Sequence, residues 1–282
     1  MRPGRKNPGD RLKPVTGGLR YVDAVQRVAI VTGASSGIGE ATSRALAAAG
    51  WHCVLVARRE DRLRALADEI GGEVELCDVG ERAAVEALAA RVLERHPAIH
   101  LLVSNAGMPA RGTFLEADLD LVERVMRVNY LGGVWCARAF MPGLEGAARA
   151  GGAHIVNVVS VAGTVSFAPA GAYAASKHAQ LAFSRSLGAA LRGSGIAVHS
   201  ILPGFVETEG FPQKNVLKSR LLRKFVIEPE DVADTIVKAI EKGKSESVVP
   251  WFPYRLVGIA QAAAPGIVAR FVGRSEYKGD AV

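Results

Sequence analysis

Tyr173 and Lys177 stand four residues apart in Tyr173-Ala174-Ala175-Ser176-Lys177. On a helix this spacing places a phenol and an ammonium on one face. A free phenol ionises near pH ~10, too high for efficient proton exchange at neutral pH. A neighbouring cation favours the phenolate and lowers that value. Bringing it to ~7 takes about 3 units, roughly 4 kcal/mol of differential stabilisation. The pair therefore reads as a proton-transfer device, although most chance Tyr-x-x-x-Lys pairs are exposed helix residues. Ser160 strengthens it: it ends the apolar run Ile155–Val159, thirteen residues before Tyr173. Asn129 sits in a helix-like stretch, Val125–Tyr130. A buried Asn there needs partners and is able to hold a water in a proton path.

A second chemical signal is Thr32-Gly33-Ala34-Ser35-Ser36-Gly37-Ile38-Gly39, between a β-branched run and an Ala-rich helical stretch. Gly33 suits a tight turn out of a strand, Gly37 lets backbone approach a ligand, and Gly39 lets the helix pack on a sheet. The helix N-terminus then offers N–H groups and a positive dipole end to a pyrophosphate. A purely structural turn is the competing reading.

The next strand ends Ala57-Arg58-Arg59-Glu60-Asp61. A carboxylate at its end would bond the ribose 2′-hydroxyl of NAD(H). Ala57 stands there instead, and the Arg58 guanidinium suits a 2′-phosphate. Arg59 adds charge or is simply solvated. NADP(H) is therefore expected over NAD(H), which stays the alternative. Glu60 and Asp61 fall at a helix start, where acids are favoured anyway.

These groups must be positioned by a larger frame. Short apolar runs (Val28–Val31, Cys53–Val56, Val74–Leu76, Leu101–Ser104, Ile155–Val159, Ala197–Ile201, Ser247–Val249) alternate with helical stretches near 60–70, 81–95, 118–138, 172–191 and 229–240. That alternation predicts an α/β fold: a single doubly wound parallel sheet, Rossmann-like, with helices on both faces. With 49% hydrophobic and 22% charged residues the chain has enough apolar surface for a large core. The expected organisation is a basic, disordered tail over residues 1–26, one domain over 27–250, and an apolar helical extension over 251–282. Residues 1–27 carry net +5 of the chain's +7. That tail reads as solvated; contact with nucleic acid has no recognition motif behind it. No secretory signal is expected, since the first 20 residues lack an apolar segment. Cys53, Cys77 and Cys136 show no metal-ligand spacing, and two of them fall in strand-like runs. They read as reduced core residues in a cytoplasmic protein. No ligand cluster for a metal is apparent among the histidines and acids.

The G-x-x-x-G-x-G loop resembles the cofactor motif of the short-chain dehydrogenase/reductase family. The resemblance extends from about Arg27 to Val249. It takes in Asn105-Ala106-Gly107, Pro203-Gly204-Phe205-Val206-Glu207-Thr208, and the family's Asn-Ser-Tyr-Lys set at Asn129, Ser160, Tyr173 and Lys177. It implies an NAD(P)-dependent oxidoreductase acting on an alcohol or carbonyl carbon. Tyr173 would transfer the proton. Lys177 would lower its pKa and bond the nicotinamide ribose, Ser160 would polarise the substrate oxygen, and Asn129 would support a water linking Lys177 to solvent. Gly33, Ser35, Ser36, Gly37, Ile38, Gly39, Arg58, Asp78, Asn105, Ala106, Gly107, Tyr173, Lys177, Pro203, Gly204, Val206 and Thr208 would bind cofactor. Asp78 would contact the adenine. Its other reading is a helix N-cap, with Glu81 three residues on. Asn105 either touches ligand or ties strand ends together.

The resemblance also implies a lid after Thr208 and a homodimer or homotetramer. Met108, Val161, Phe167, Phe205 and Phe211 would wall an apolar pocket for a hydrophobic carbonyl or alcohol. The extension contains Arg255, Pro265 and Arg270 and is a poor membrane span. It reads first as packing on the enzyme or a partner subunit, with peripheral membrane contact as the alternative. A catalytically silent NADP(H)-binding sensor or scaffold is the rival function. It would have no need of the complete Asn-Ser-Tyr-Lys set.

Overall fold

The computed structural model describes residues 26–166, 170–210 and 225–272. Seven strands form one parallel sheet: β1 (Val28–Thr32), β2 (His52–Ala57), β3 (Glu73–Leu76), β4 (Leu101–Ser104), β5 (Ala153–Val158), β6 (Ile196–Pro203) and β9 (Glu246–Val249). Their order is β3-β2-β1-β4-β5-β6-β9. Chain direction across the sheet therefore reverses between β1 and β4, where a crevice opens at the carboxyl edge. A two-residue parallel pair, β7 (Phe205–Val206) and β8 (Val226–Ile227), lies beyond β6.

The strands read as continuous apolar runs because both faces are covered. Val28, Ile30, Val54, Val56, Leu102 and Ile155 face one core. That core is closed by α3 (Arg82–Arg95), α5 (Gly132–Ala139) and α6 (Met141–Ala150). Ala29, Val31, Cys53, Leu55, Leu101, Val103 and Val156 face the opposite one, closed by α1 (Gly37–Ala48), α2 (Glu60–Ile70) and α8 (Pro229–Lys242). Alternation along each strand builds both layers at once. Each fully buried Leu, Ile or Val contributes about 1.5–3 kcal/mol.

Four sequence expectations change here. The helix expected over residues 118–138 is broken: α4 (Leu119–Met126) runs into a π turn, Arg127–Leu131, before α5. Asp78 is not an N-cap, because α3 starts at Arg82 with Glu81 before it. Asp78 Oδ1 instead accepts from Gly80 N at 2.9 Å. Its other oxygen pairs with Arg124. Of the three cysteines, all buried thiols, only Cys53 lies in a strand. Finally, His52, Glu73 and His96 do converge, with ligand-type atoms within 4.8 Å of one another. Glu73 Oε1 is 2.7 Å from His52 Nε2 and 2.8 Å from His96 Nε2, and the Glu73 carboxylate also pairs with Arg95. This cluster sits at the amino ends of β2 and β3, opposite the crevice.

Of the expected tail over residues 1–26, residues 1–25 lie outside the described residues. In the C-terminal stretch, α9 (Tyr254–Ala263) and α10 (Pro265–Val272) are helical. No helix of the described residues is long and apolar enough to cross a membrane.

Candidate active site

The loop between β1 and α1 is shaped by two glycines with positive φ, Gly33 at 68° and Gly37 at 56°. A Cβ on Gly37 would lie 2.9 Å from Thr208 Cγ2, so the loop and the segment after β6 close on each other. Gly39 is tighter: a Cβ would meet Gly33 O at 2.3 Å and Asn105 Nδ2 at 2.5 Å. Asn105 is a strut across the switch point. Its Nδ2 donates to Thr32 O at 2.9 Å and Gly33 O at 3.3 Å. Thr32 Oγ1 accepts from the Asn105 and Ala106 amides at 3.0 and 3.1 Å. Thus the tying reading of Asn105 holds, and the strut keeps the glycine loop against the small residues after β4.

At the end of β2 the two arginines part. Arg58 has a 70% exposed side chain and lies 3.5 Å from Asp78. Arg59 turns back onto the loop. It donates to Ser36 Oγ at 2.6 Å and to Ser35 Oγ at 3.1 and 3.2 Å, and pairs with Glu209 at 3.3 Å. The sequence pointed first to Arg58; Arg59 is the guanidinium that touches the phosphate loop. Carboxylates hold both neighbours too: burial raises the Asp78 pKa, but bonds from Gly80 and Arg124 bring it below its ordinary value.

Across the crevice, α7 (Gly171–Ala190) carries Tyr173 and Lys177 on one face, with Lys177 Nζ 5.8 Å from the Tyr173 ring centroid. Burial pushes the phenol up to about 12, partly offset by its hydrogen bond with Ser160. Ser160 Oγ also accepts from Ala162 N at 3.1 Å and lies 3.4 Å from Pro203 O. Lys177 is buried, and burial lowers its ammonium to about 7. Its Nζ donates to Val158 O at 3.1 Å and to Gln180 Oε1 at 2.8 Å.

Asn129 lies in the π turn and is buried. Its Oδ1 accepts from Met108 N at 2.8 Å, and its Nδ2 donates to Met108 O at 3.1 Å and Ser176 Oγ at 3.0 Å. The side chain pins the Ala106–Met108 segment to α7, so the carboxamide is already committed within the protein. A Cβ on Gly107 would be 3.4 Å from Asn129 Oδ1 and 3.8 Å from Lys177 Nζ, which brings all four predicted catalytic residues around one end of the crevice.

Of the expected pocket wall, Met108 packs with Val125, Ala172 and Tyr173, and Val161 packs with Val159 and Leu202. Phe205 meets Tyr254 edge-on with ring centroids 6.0 Å apart. Phe167 and Phe211 lie outside the described residues. Two groups escaped the sequence reading. Tyr254 on α9 packs so close beneath Gly204 that a Cβ there would meet its ring at 2.2 Å. Gly258 passes Thr164 Oγ1, where a Cβ would sit at 2.9 Å. So α9 packs against Gly204 and against Thr164 in the turn after Ser160. The only sequence signal was an aromatic residue among the apolar ones after β9.

Charge, donors and a glycine cradle thus meet at the crevice, an arrangement suited to a dinucleotide on one side and a carbonyl on the other. Comparison with known proteins agrees. The short chain dehydrogenase family model matches residues 27–216. Dehydrogenase/reductase SDR family member 7B of Xenopus laevis is 30% identical over 281 residues, covering 89% of this chain and 84% of that protein. An uncharacterized oxidoreductase of Mycobacterium tuberculosis is 47% identical over 184 residues, 65% of this chain and 71% of the other. A Burkholderia phymatum short chain dehydrogenase/reductase solved with NAD superposes with TM-score 0.73 at 30% identity, over 84% of this chain and 95% of that one. Actinorhodin polyketide ketoreductase solved with NADPH gives 0.71 at 29% identity, over 79% and 95%.

Proposed function

The chain belongs to the short-chain dehydrogenase/reductase family and is an NAD(P)-dependent oxidoreductase, and from that premise we propose that it prefers NADP(H) and acts on a hydrophobic carbonyl or alcohol. The observation that carries the catalytic part is the Tyr173 phenol bonded to Ser160, with the Lys177 ammonium beside its ring. The glycine cradle fits a pyrophosphate, since Gly37 and Gly39 leave no room for a Cβ and the α1 N-terminus faces it. Gly33, Ser35, Ser36, Gly37, Ile38 and Gly39 hold that group. Asn105, Ala106 and Gly107 leave space beside it, and Pro203, Gly204, Val206 and Thr208 close over it.

A bound nicotinamide dinucleotide supplies or accepts the hydride. In the reducing direction Tyr173 gives its proton to the carbonyl oxygen as that carbon gains hydride; oxidation runs the reverse. Ser160 positions and polarises the oxygen. Lys177 stabilises the phenolate and bonds the ribose. Asn129 holds the Met108 segment against α7 and supports a water linking Lys177 to solvent. Without ligand, burial keeps the phenol protonated and drains charge from the ammonium. The Tyr173 phenolate would be favoured by the nicotinamide cation, and would in turn favour the charged Lys177.

Cofactor choice rests on Arg58 and Arg59 with Ser35 and Ser36, which together suit a 2′-phosphate; Asp78 faces the adenine. The expected result is tighter binding of NADPH than NADH. Arg59→Ala should then weaken NADPH about tenfold or more and NADH little, because charge-assisted bonds are worth ~1.5–3 kcal/mol. Equal losses for both cofactors, or a wild type preferring NADH, would refute the preference. A panel of aliphatic, steroidal and aromatic carbonyls, read by NADPH absorbance, tests the substrate class. Oxidation of NADPH only with small polar carbonyls would rule out the hydrophobic reading.

The outer side of α9 and α10 exposes Leu256, Val257, Ile259 and Ile267, next to exposed Trp251 and Phe252. Arg255, the cation of α9, is engaged by Glu246 at 2.6 Å, which leaves that helix little charge to offer an anionic bilayer. We therefore favour a second copy of the chain as the cover. Sedimentation should show a dimer or tetramer that Ile259→Glu dissociates. Co-flotation of the wild type with anionic vesicles, without self-association, would point to a membrane instead.

A further inference from the structure

Gln180 is a polar residue in a place where its side chain has almost no access to water: it is 2% exposed, one turn along α7 from Lys177. A buried amide of this kind costs free energy unless both ends are bonded. Its oxygen must face Lys177, since an ammonium has only donors. That fixes Gln180 Oε1 on Lys177 Nζ at 2.8 Å and turns the NH2 end away.

Gln180 also lines a small space with Thr32, Ser104, Asn129, Gly132 and Cys136. The space open to a water's centre is about 10 Å³, close to that of a single molecule. Ser104 Oγ, 4% exposed, lines the same space and is buried with no hydrogen-bond partner. A water there would satisfy Ser104 Oγ and take a hydrogen bond from the Gln180 amide.

Lys177 has three N–H donors. Val158 O and Gln180 Oε1 take two of them. One donor is left; a Cβ on Gly107 would lie 3.8 Å from Nζ, and the Tyr173 ring centroid is 5.8 Å from it. Without Gln180 the ammonium would pivot about Val158 O.

We infer that Gln180 is a positioning residue of the reaction: with one buried water shared with Ser104, it fixes the Lys177 ammonium so that its remaining N–H is directed at the phenol and cofactor side. The inference rests on the Tyr173–Lys177 reading above and adds a residue that reading does not use.

Gln180→Met keeps length and bulk but removes the acceptor. The ammonium then loses charge more readily and supports the phenolate less. In alcohol oxidation with NADP+, the acid limb of the kcat profile should move up by about one pH unit. Turnover at pH 7 should fall about tenfold, since one unit is a tenfold change in phenolate fraction. The KM for NADP+ should change less than about threefold, a split that a loosened cofactor site would not give. Gln180→Glu restores an oxygen acceptor at the same reach and should recover most of the lost turnover. All variants are the full chain, checked for NADPH binding and thermal unfolding. Gln180→Met with a wild-type pH profile, or Gln180→Glu as impaired as Gln180→Met, overturns the inference. Tyr173→Phe in the same series separates the two claims. If it keeps turnover, the catalytic reading fails; if it loses turnover while Gln180→Met behaves as wild type, only the role of Gln180 fails.

Discussion

Tyr173→Phe is expected to lower kcat by about a thousandfold or more while leaving NADPH affinity within about threefold of wild type. The change deletes one oxygen and keeps the ring that packs with Met108 and Ala172. The fold and the glycine cradle, on the other side of the crevice, are untouched. What is lost is the proton donor; general acid–base groups contribute roughly 10²–10⁴ in rate. A thousandfold corresponds to about 4 kcal/mol of barrier. Ser160 would remain to position and polarise the oxygen, but an unactivated aliphatic hydroxyl is too weak an acid to replace the phenol. Stopped-flow fluorescence for NADPH binding and steady-state absorbance for turnover separate the two quantities. Turnover within tenfold of wild type would remove Tyr173 from the chemistry.

Gly39→Ala should fail in the opposite way, with loss of binding before any chemistry. The added Cβ would lie 2.3 Å from Gly33 O and 2.5 Å from Asn105 Nδ2. Neither neighbour yields easily, because Gly33 sits in a positive-φ turn and Asn105 is the strut between β1 and β4. Overpacking of this kind costs about 1–3 kcal/mol of stability. Shifting the strut also displaces the N–H groups aimed at the pyrophosphate. We expect NADPH affinity to drop by about a hundredfold, with a lower melting temperature. Gly266→Ala, where a Cβ meets open space, is the matched control and should be close to neutral. Wild-type NADPH affinity in Gly39→Ala would mean the loop is a structural turn.

The strands were legible because a parallel sheet covered on both faces leaves nearly unbroken apolar runs such as Cys53–Val56 and Leu101–Ser104. The Gly33, Gly37 and Gly39 spacing was legible for a similar reason: each position has a steric demand that no other residue meets. What stayed hidden depends on tertiary contacts. The π turn at Asn129 has no local signature, so the residue reads as ordinary helix, and its bonds to Met108 and Ser176 come from segments far apart in sequence. Arg58 and Arg59 differ by one step at a strand end, and which one turns onto Ser35 and Ser36 depends on how α2 departs. His52, Glu73 and His96 are brought together only by the pairing of β2 with β3 and the end of α3. Gln180 had a signal that was passed over. It lies three residues after Lys177 and seven after Tyr173, the periodicity of one helix face.

A crystal structure of the protein with NADPH bound tests the central claim most directly. The account predicts Tyr173 Oη and Lys177 Nζ both within about 3.2 Å of the nicotinamide ribose hydroxyls, with the ring's reactive carbon facing Ser160. A nicotinamide lying away from α7, with the phenol and ammonium touching neither ribose nor ring, would contradict it.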